Sequence, residues 1–200
     1  MQSTLSQDYY VRIASTKETE AITKLLQQQS RVVISIAVPI ILLVQGLGFF
    51  LLPLLFTAEF LPALEFMRWQ LVGDILKIFS WLVAFFVLAK LPPHIYFINE
   101  LLNGAATVVS VWLLVSSLGL AGVGISTIIA YALYILVLSL WAGRVISFGW
   151  LRSELGWWIL AALCVMGVGL LSGTLQVITS LSLSLIWAWR FLWQREYAVS

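Results

Sequence analysis

At 200 residues, with 62% of them hydrophobic, only 10% charged and a mean hydropathy of +1.02, the chain carries more apolar surface than a soluble globule of its size can bury. A net charge of +2 without a basic run leaves no electrostatic footprint for nucleic acid, and a lipid bilayer is the solvent that suits the composition. The single cysteine, Cys164, excludes an internal disulfide, and with one distant histidine, His94, it argues against a zinc site.

The first 31 residues are polar, with Asp8, Arg12, Lys17, Glu18, Glu20, Lys24 and Arg31, and do not have the pattern of a secretory signal peptide. Ser15 followed by Glu18 predicts a capping box that opens a short helix through Gln29. Its apolar stripe, Ala21, Ile22, Leu25 and Leu26, suits a helix lying on the membrane face, and a solvated connector fits as well.

About 20 helical residues cross a ~30 Å hydrocarbon core, and a window of about 19 residues finds six candidate spans. They cover residues 32–56, 69–89, 95–118, 121–141, 156–173 and 175–193, the last two short and joined by a tight turn around Gly173 and Thr174. The expected fold is therefore all-α, a polytopic integral membrane helical bundle. It divides into a cytoplasmic lead over residues 1–31, a transmembrane bundle over 32–193 and a cytoplasmic tail over 194–200. Pro39, Gln45, Gly46, Gly48 and Pro53 punctuate the first span, where each proline removes a backbone hydrogen bond. Gly119, Gly122 and Gly124 predict a tight turn after the third span, and Gly167, Gly169 and Gly173 would let the fifth helix approach a neighbour closely.

Lysine and arginine in alternate loops set the expected orientation. One side receives Arg12, Lys17, Lys24, Arg31, Lys90, Arg144, Arg152, Arg190 and Arg195, the other only Arg68, so both termini are expected in the cytoplasm. Trp69, Trp141, Trp150, Trp157, Trp158 and Trp193 fall near span ends, where an interfacial aromatic belt is the simplest reading.

Two polar clusters interrupt the apolar spans. In the second span, with Trp69 at the interface, Asp74 lies about 8 Å and Lys77 about 12 Å deeper along the helix axis. A charge at such depth costs about 2.5–3.5 kcal/mol even on a lenient insertion scale. At i and i+3 the two can neutralise each other, or they can line a water-filled cavity that binds an anionic substrate or a coupling cation; Gln70, seven residues before Lys77, extends the same face. The third span carries Asn99, Glu100 and Asn103 at i, i+1 and i+4, with Glu100 about 9 Å in from His94 on the cytoplasmic side. Direct contact between Glu100 and Lys77 is not expected, whereas a polar track through one cavity is. Neither a nucleophilic triad around His94 nor a phosphate-binding loop ending in GK[ST] occurs, no cofactor is implied, and binding and passage rather than catalysis are expected.

Taken together, YYVRIASTKETE, LLPLLFTAEFLPA, FMRWQLVGDILKIFSWLVAFFVLAK and the following INE resemble the C-terminal half of Wzx-type O-antigen and lipid III flippases. These belong to the multidrug/oligosaccharidyl-lipid/polysaccharide exporter superfamily. The resemblance covers about residues 8–142, its most specific element being WQLVGDILKI with LAK about a helix later. It implies a MATE-like arrangement in a bacterial inner membrane, in which two bundles enclose a polar cavity. Alternating access there moves an undecaprenyl-diphosphate-linked oligosaccharide, such as an O-antigen unit, between leaflets for surface polysaccharide and lipopolysaccharide biosynthesis. It further implies that Gln70, Asp74 and Lys77 match the family's polar run and Glu100 the acid of its next helix, with Lys77 facing sugar or diphosphate oxygens. The chain departs from the pattern by lacking the first bundle and a proline near YYVRIAS, and spans 156–193 are not assigned by the resemblance. A partial flippase that needs a missing N-terminal half, a second copy or other polysaccharide assembly proteins is the expectation. A non-catalytic membrane scaffold or assembly subunit, with purely structural charge pairs, is the alternative.

Overall fold

The computed structural model describes residues 10–145 and 148–196, without the side chains of 148–153 and 191–196. The ends of the expected lead and tail, and the side chains of Trp150, Arg152, Trp193 and Arg195, lie outside the described residues. No strand occurs among those described. After a helical turn at residues 10–15, five helices follow: α1 (Thr19–Leu55), α2 (Ala63–Lys90), α3 (Pro93–Ala142), α4 (Phe148–Leu170) and α5 (Gly173–Glu196), with a 3-10 turn at Ala58–Phe60. The helices α1, α2 and α3 are long and apolar enough to cross a membrane, and α4 contributes a shorter apolar stretch, Glu154–Leu170.

The expected capping box does not form. Ser15 donates to the Arg12 carbonyl at 3.1 Å, closing the preceding turn together with Thr16, and α1 starts at Thr19 with Glu18 at its N-cap and no side-chain cap bond. Nor does a separate helix end at Gln29. Ile22, Leu26, Ser30, Ile34, Val38 and Leu42 recur every four residues as one buried stripe, so the amphipathic lead and the first span share a face and propagate as one helix. Pro39 and Pro53 stay inside it.

The central helix is α2. Residues 82–87 are buried on nearly every side except Phe85, because α3 packs along one flank while α1 and α4 cover the other. That is why the helix shows no single apolar face. Gly119, at φ 56° and ψ −135°, breaks α3 into two arms that fold back on each other as a hairpin. A left-handed backbone of this kind is open to glycine at little cost. Gly122 and Gly124 do different work from the turn: Gly122 abuts the Leu114 carbonyl of the first arm, and Gly124 lies where a Cβ would come within 2.6 Å of Trp69 on α2. Gly73 faces Thr127 in the same seam. Small residues thus set the α2–α3 distance.

The last helix belongs to the bundle through α1. Gln176, Ser180 and Ser184, one turn apart, donate to the carbonyls of Gln45, Leu42 and Pro39 at 3.0, 2.6 and 3.2 Å. Gly46 meets Ser180 so closely that no side chain fits there, and α5 lies antiparallel along α1. Trp158 departs from the expected belt. It is fully buried, its ring packs on Phe79 at 5.5 Å, and its indole N–H donates to Ser30 at 3.0 Å. Its neighbour Trp157, about 100° further round the helix, is exposed and lies 3.8 Å from the Arg190 guanidinium. At the far end of α2, Lys90 holds the segment before α1 through the carbonyls of Thr16 at 2.6 Å and Ala14 at 3.3 Å.

Candidate functional site

The polar side chains of α2 reach both one another and the second arm of α3. Gln70 spans the seam: its Nε2 donates to Asp74 Oδ1 at 3.1 Å, one helical turn on, and its Oε1 accepts from Thr127 at 2.9 Å. The close approach at Gly73 and Gly124 makes that reach possible. Of the two arrangements the sequence left open for Asp74 and Lys77, an ion pair does not form within 4 Å. The salt bridge present among the described residues is Lys24–Glu20 on the exposed lead, at 2.9 Å. There the Lys24 ammonium holds the Glu20 carboxyl below its ordinary value, a surface effect of little consequence for stability.

Lys77 is held by rings. Its Nζ lies 5.4 Å from the centroid of Trp81 and 5.9 Å from that of Tyr131, positions in which the electron-rich faces attract the ammonium. Tyr131 in turn stands edge-on to Tyr134, centroids 6.3 Å apart, and the Tyr134 hydroxyl donates to the Glu100 carboxylate on the first arm. Asn103, Glu100 and Asp74 are all electrostatic neighbours of Tyr131. Lys77 and Glu100 are not within ion-pair distance, and Tyr131 and Tyr134 lie between them.

Five of the six expected residues, Gln70, Asp74, Lys77, Glu100 and Asn103, therefore gather around the second arm of α3. Asn99 does not join them. It is buried and folds its amide back onto the Ile95 carbonyl at 2.7 Å, leaving its Oδ1 unpartnered. The Asn103 Oδ1 is likewise buried without a partner, although it sits beside Tyr131. Three residues that complete the group, Thr127, Tyr131 and Tyr134, escaped the sequence reading. Their spacing of i, i+4 and i+7 is itself a helical stripe and was a usable signal.

The chemistry available is that of a binding wall: a cation between aromatic faces, Asp74 held by an amide, Glu100 held by tyrosine hydroxyls, and the unused acceptor of Asn103. A separate cavity of about 590 Å³ opens where α1, α2 and α5 meet at the opposite end of α2 from Lys90, and none of the six expected residues lines it. No protein-family model, curated protein or solved structure matches the chain.

Proposed function

We propose that this chain is one bundle of an inner-membrane translocator. In this reading it crosses the membrane six times with both termini cytoplasmic and helps to flip an undecaprenyl-diphosphate-linked oligosaccharide between leaflets. The observation that carries the reading is the Lys77–Tyr131–Tyr134–Glu100 succession. It runs along three helical segments and has cationic, aromatic and acidic surfaces suited to diphosphate and sugar hydroxyls. The resemblance of WQLVGDILKI to flippase sequences points the same way.

A second bundle fits the exposed flank of α3. Glu100 is exposed there among Phe97, Ile98, Leu101 and Leu102, and an acid facing lipid chains would cost about 2.5–3.5 kcal/mol at mid-membrane. Covering that flank with protein around a wet path removes the cost. Substituting Lys77 by alanine tests the reading, with glycan export and membrane insertion scored separately.

One observation favours the scaffold reading instead. The Gln70–Asp74 and Tyr134–Glu100 contacts are satisfied within the bundle, as purely structural polar pairs would be. In that case Lys77→Ala would impair insertion or stability and leave export per inserted molecule unchanged.

A further inference from the structure

The cavity between α1, α2 and α5 has a composition that the translocation path does not use. Its wall combines Arg68 and Gln176, the start of α5 at Ser172, Gly173 and Thr174, and an apolar side that includes Phe49, Phe50 and Ile178. Its volume lies within the usual range of small-molecule sites, about 300–1,000 Å³.

Three features point to a ligand rather than to a packing gap. Gln45 lines the cavity at 2% exposure, and its Oε1 has no hydrogen-bond partner, so the wall holds a buried acceptor that the chain itself leaves unsatisfied. Arg68 has no carboxylate within ion-pair distance among the described residues. The first N–H groups of α5 have no partners within their own helix and carry the positive end of its dipole beside that arginine. The arrangement is also seated: Gly169 of α4 lies against the Gln45 amide, and a Cβ there would come within 2.8 Å of Arg68 Cγ.

We propose that this cavity binds one anionic phospholipid whose headgroup carries a hydroxyl. The phosphate meets Arg68 and the first turn of α5, the hydroxyl donates to Gln45 Oε1, and an acyl chain follows Phe49, Phe50 and Ile178. The proposal stands apart from the translocator reading, since no residue of the Lys77–Glu100 succession takes part.

The test is native mass spectrometry of the full chain in nonionic detergent, titrated with phosphatidylglycerol, phosphatidic acid, phosphatidylcholine and soluble glycerol phosphate. One phosphatidylglycerol per chain should be retained at least about tenfold more tightly than phosphatidylcholine, with phosphatidic acid between them. Arg68→Gln should reduce phosphatidylglycerol to the phosphatidylcholine level, Arg68→Lys should keep most of the preference, and Gln45→Leu should abolish the preference over phosphatidic acid. Val177→Trp, which fills the cavity from α5, should block retention while leaving Arg68 in place. Equal retention of phosphatidylglycerol and phosphatidylcholine, or retention unaffected by both Arg68→Gln and Val177→Trp, overturns the proposal. Glycerol phosphate binding as tightly as the lipid would overturn it too, by showing a free-anion site.

Discussion

The Tyr134 hydroxyl donates to the Glu100 carboxylate across the α3 hairpin, joining two residues 34 positions apart in the chain. The bond holds the arms at the level of the aromatic stripe and gives an acid on the exposed flank a neutral donor. Hydrogen bonds to a charged group are worth about 1.5–3 kcal/mol when shielded, and the exposure of Glu100 places this one at the lower end.

Tyr134→Phe should therefore destabilise the bundle by about 1.5 kcal/mol in detergent unfolding. A double-mutant cycle with Glu100→Gln should show coupling of at least about 0.5 kcal/mol. Strictly additive effects would mean that the two side chains do not act together.

The Trp158–Ser30 contact ties α4 to α1 in the dry core. Ser30→Ala leaves the buried indole N–H without an acceptor and should cost about 1–3 kcal/mol. Trp158→Phe removes donor and bulk together but leaves Ser30 free to turn to its own helix, so it should cost less than Trp158→Ala, expected at about 3–5 kcal/mol. Unfolding midpoints read both; an innocuous Trp158→Ala would return this residue to the membrane interface.

Glycines of one type should separate sharply by place. Gly124→Leu drives a side chain into Trp69 and the Gln70 backbone and should cost about 1–3 kcal/mol or more. Gly104→Ala, with nothing within 4 Å of the added Cβ, should be neutral or stabilising by about 0.4–1 kcal/mol. Equal effects from the two would contradict the close α2–α3 seam.

The α1–α5 seam rests on serine-to-carbonyl bonds, each worth about 0.6 kcal/mol inside a membrane bundle. Ser180→Ala should thus be mild, whereas Gly46→Val should detach α5 by steric conflict with Ser180. Detergent unfolding midpoints should move little with the first change and fall clearly with the second; equal shifts would contradict the close seam.

The parts of this fold legible in the sequence are those where one physical signal dominates. Long apolar runs marked the membrane-length helices, and the Gly119 cluster marked the hairpin, because backbone geometry there demands glycine. At Ser15 and Gln29 the local capping pattern points to a short separate helix, but the four-residue burial stripe that continues into the span decides the outcome. Trp157 and Trp158 look alike in a one-dimensional pattern; only the direction each takes from the α4 axis separates surface from core.

At the candidate site, the sequence located the charges but not their partners. Asp74 and Lys77 at i, i+3 suggested a pair, yet Gln70 one turn earlier and the rings of Trp81 and Tyr131 satisfy them separately. Which neighbour wins depends on the hairpin bringing Thr127, Tyr131 and Tyr134 across from α2, a long-range fact. Taken singly, a threonine and two tyrosines in an apolar helix carry no sign of the partners they meet across the hairpin.

The most direct test of the central claim is glycan export in cells that carry Lys77→Ala in place of the native chain, normalised to the amount inserted in the membrane. The translocator account predicts normal insertion with export lowered by about tenfold or more, the loss of one charge-assisted contact, and partial recovery with Lys77→Arg. Export per inserted molecule equal to that of the native chain would contradict it and leave Lys77 a structural residue between two rings.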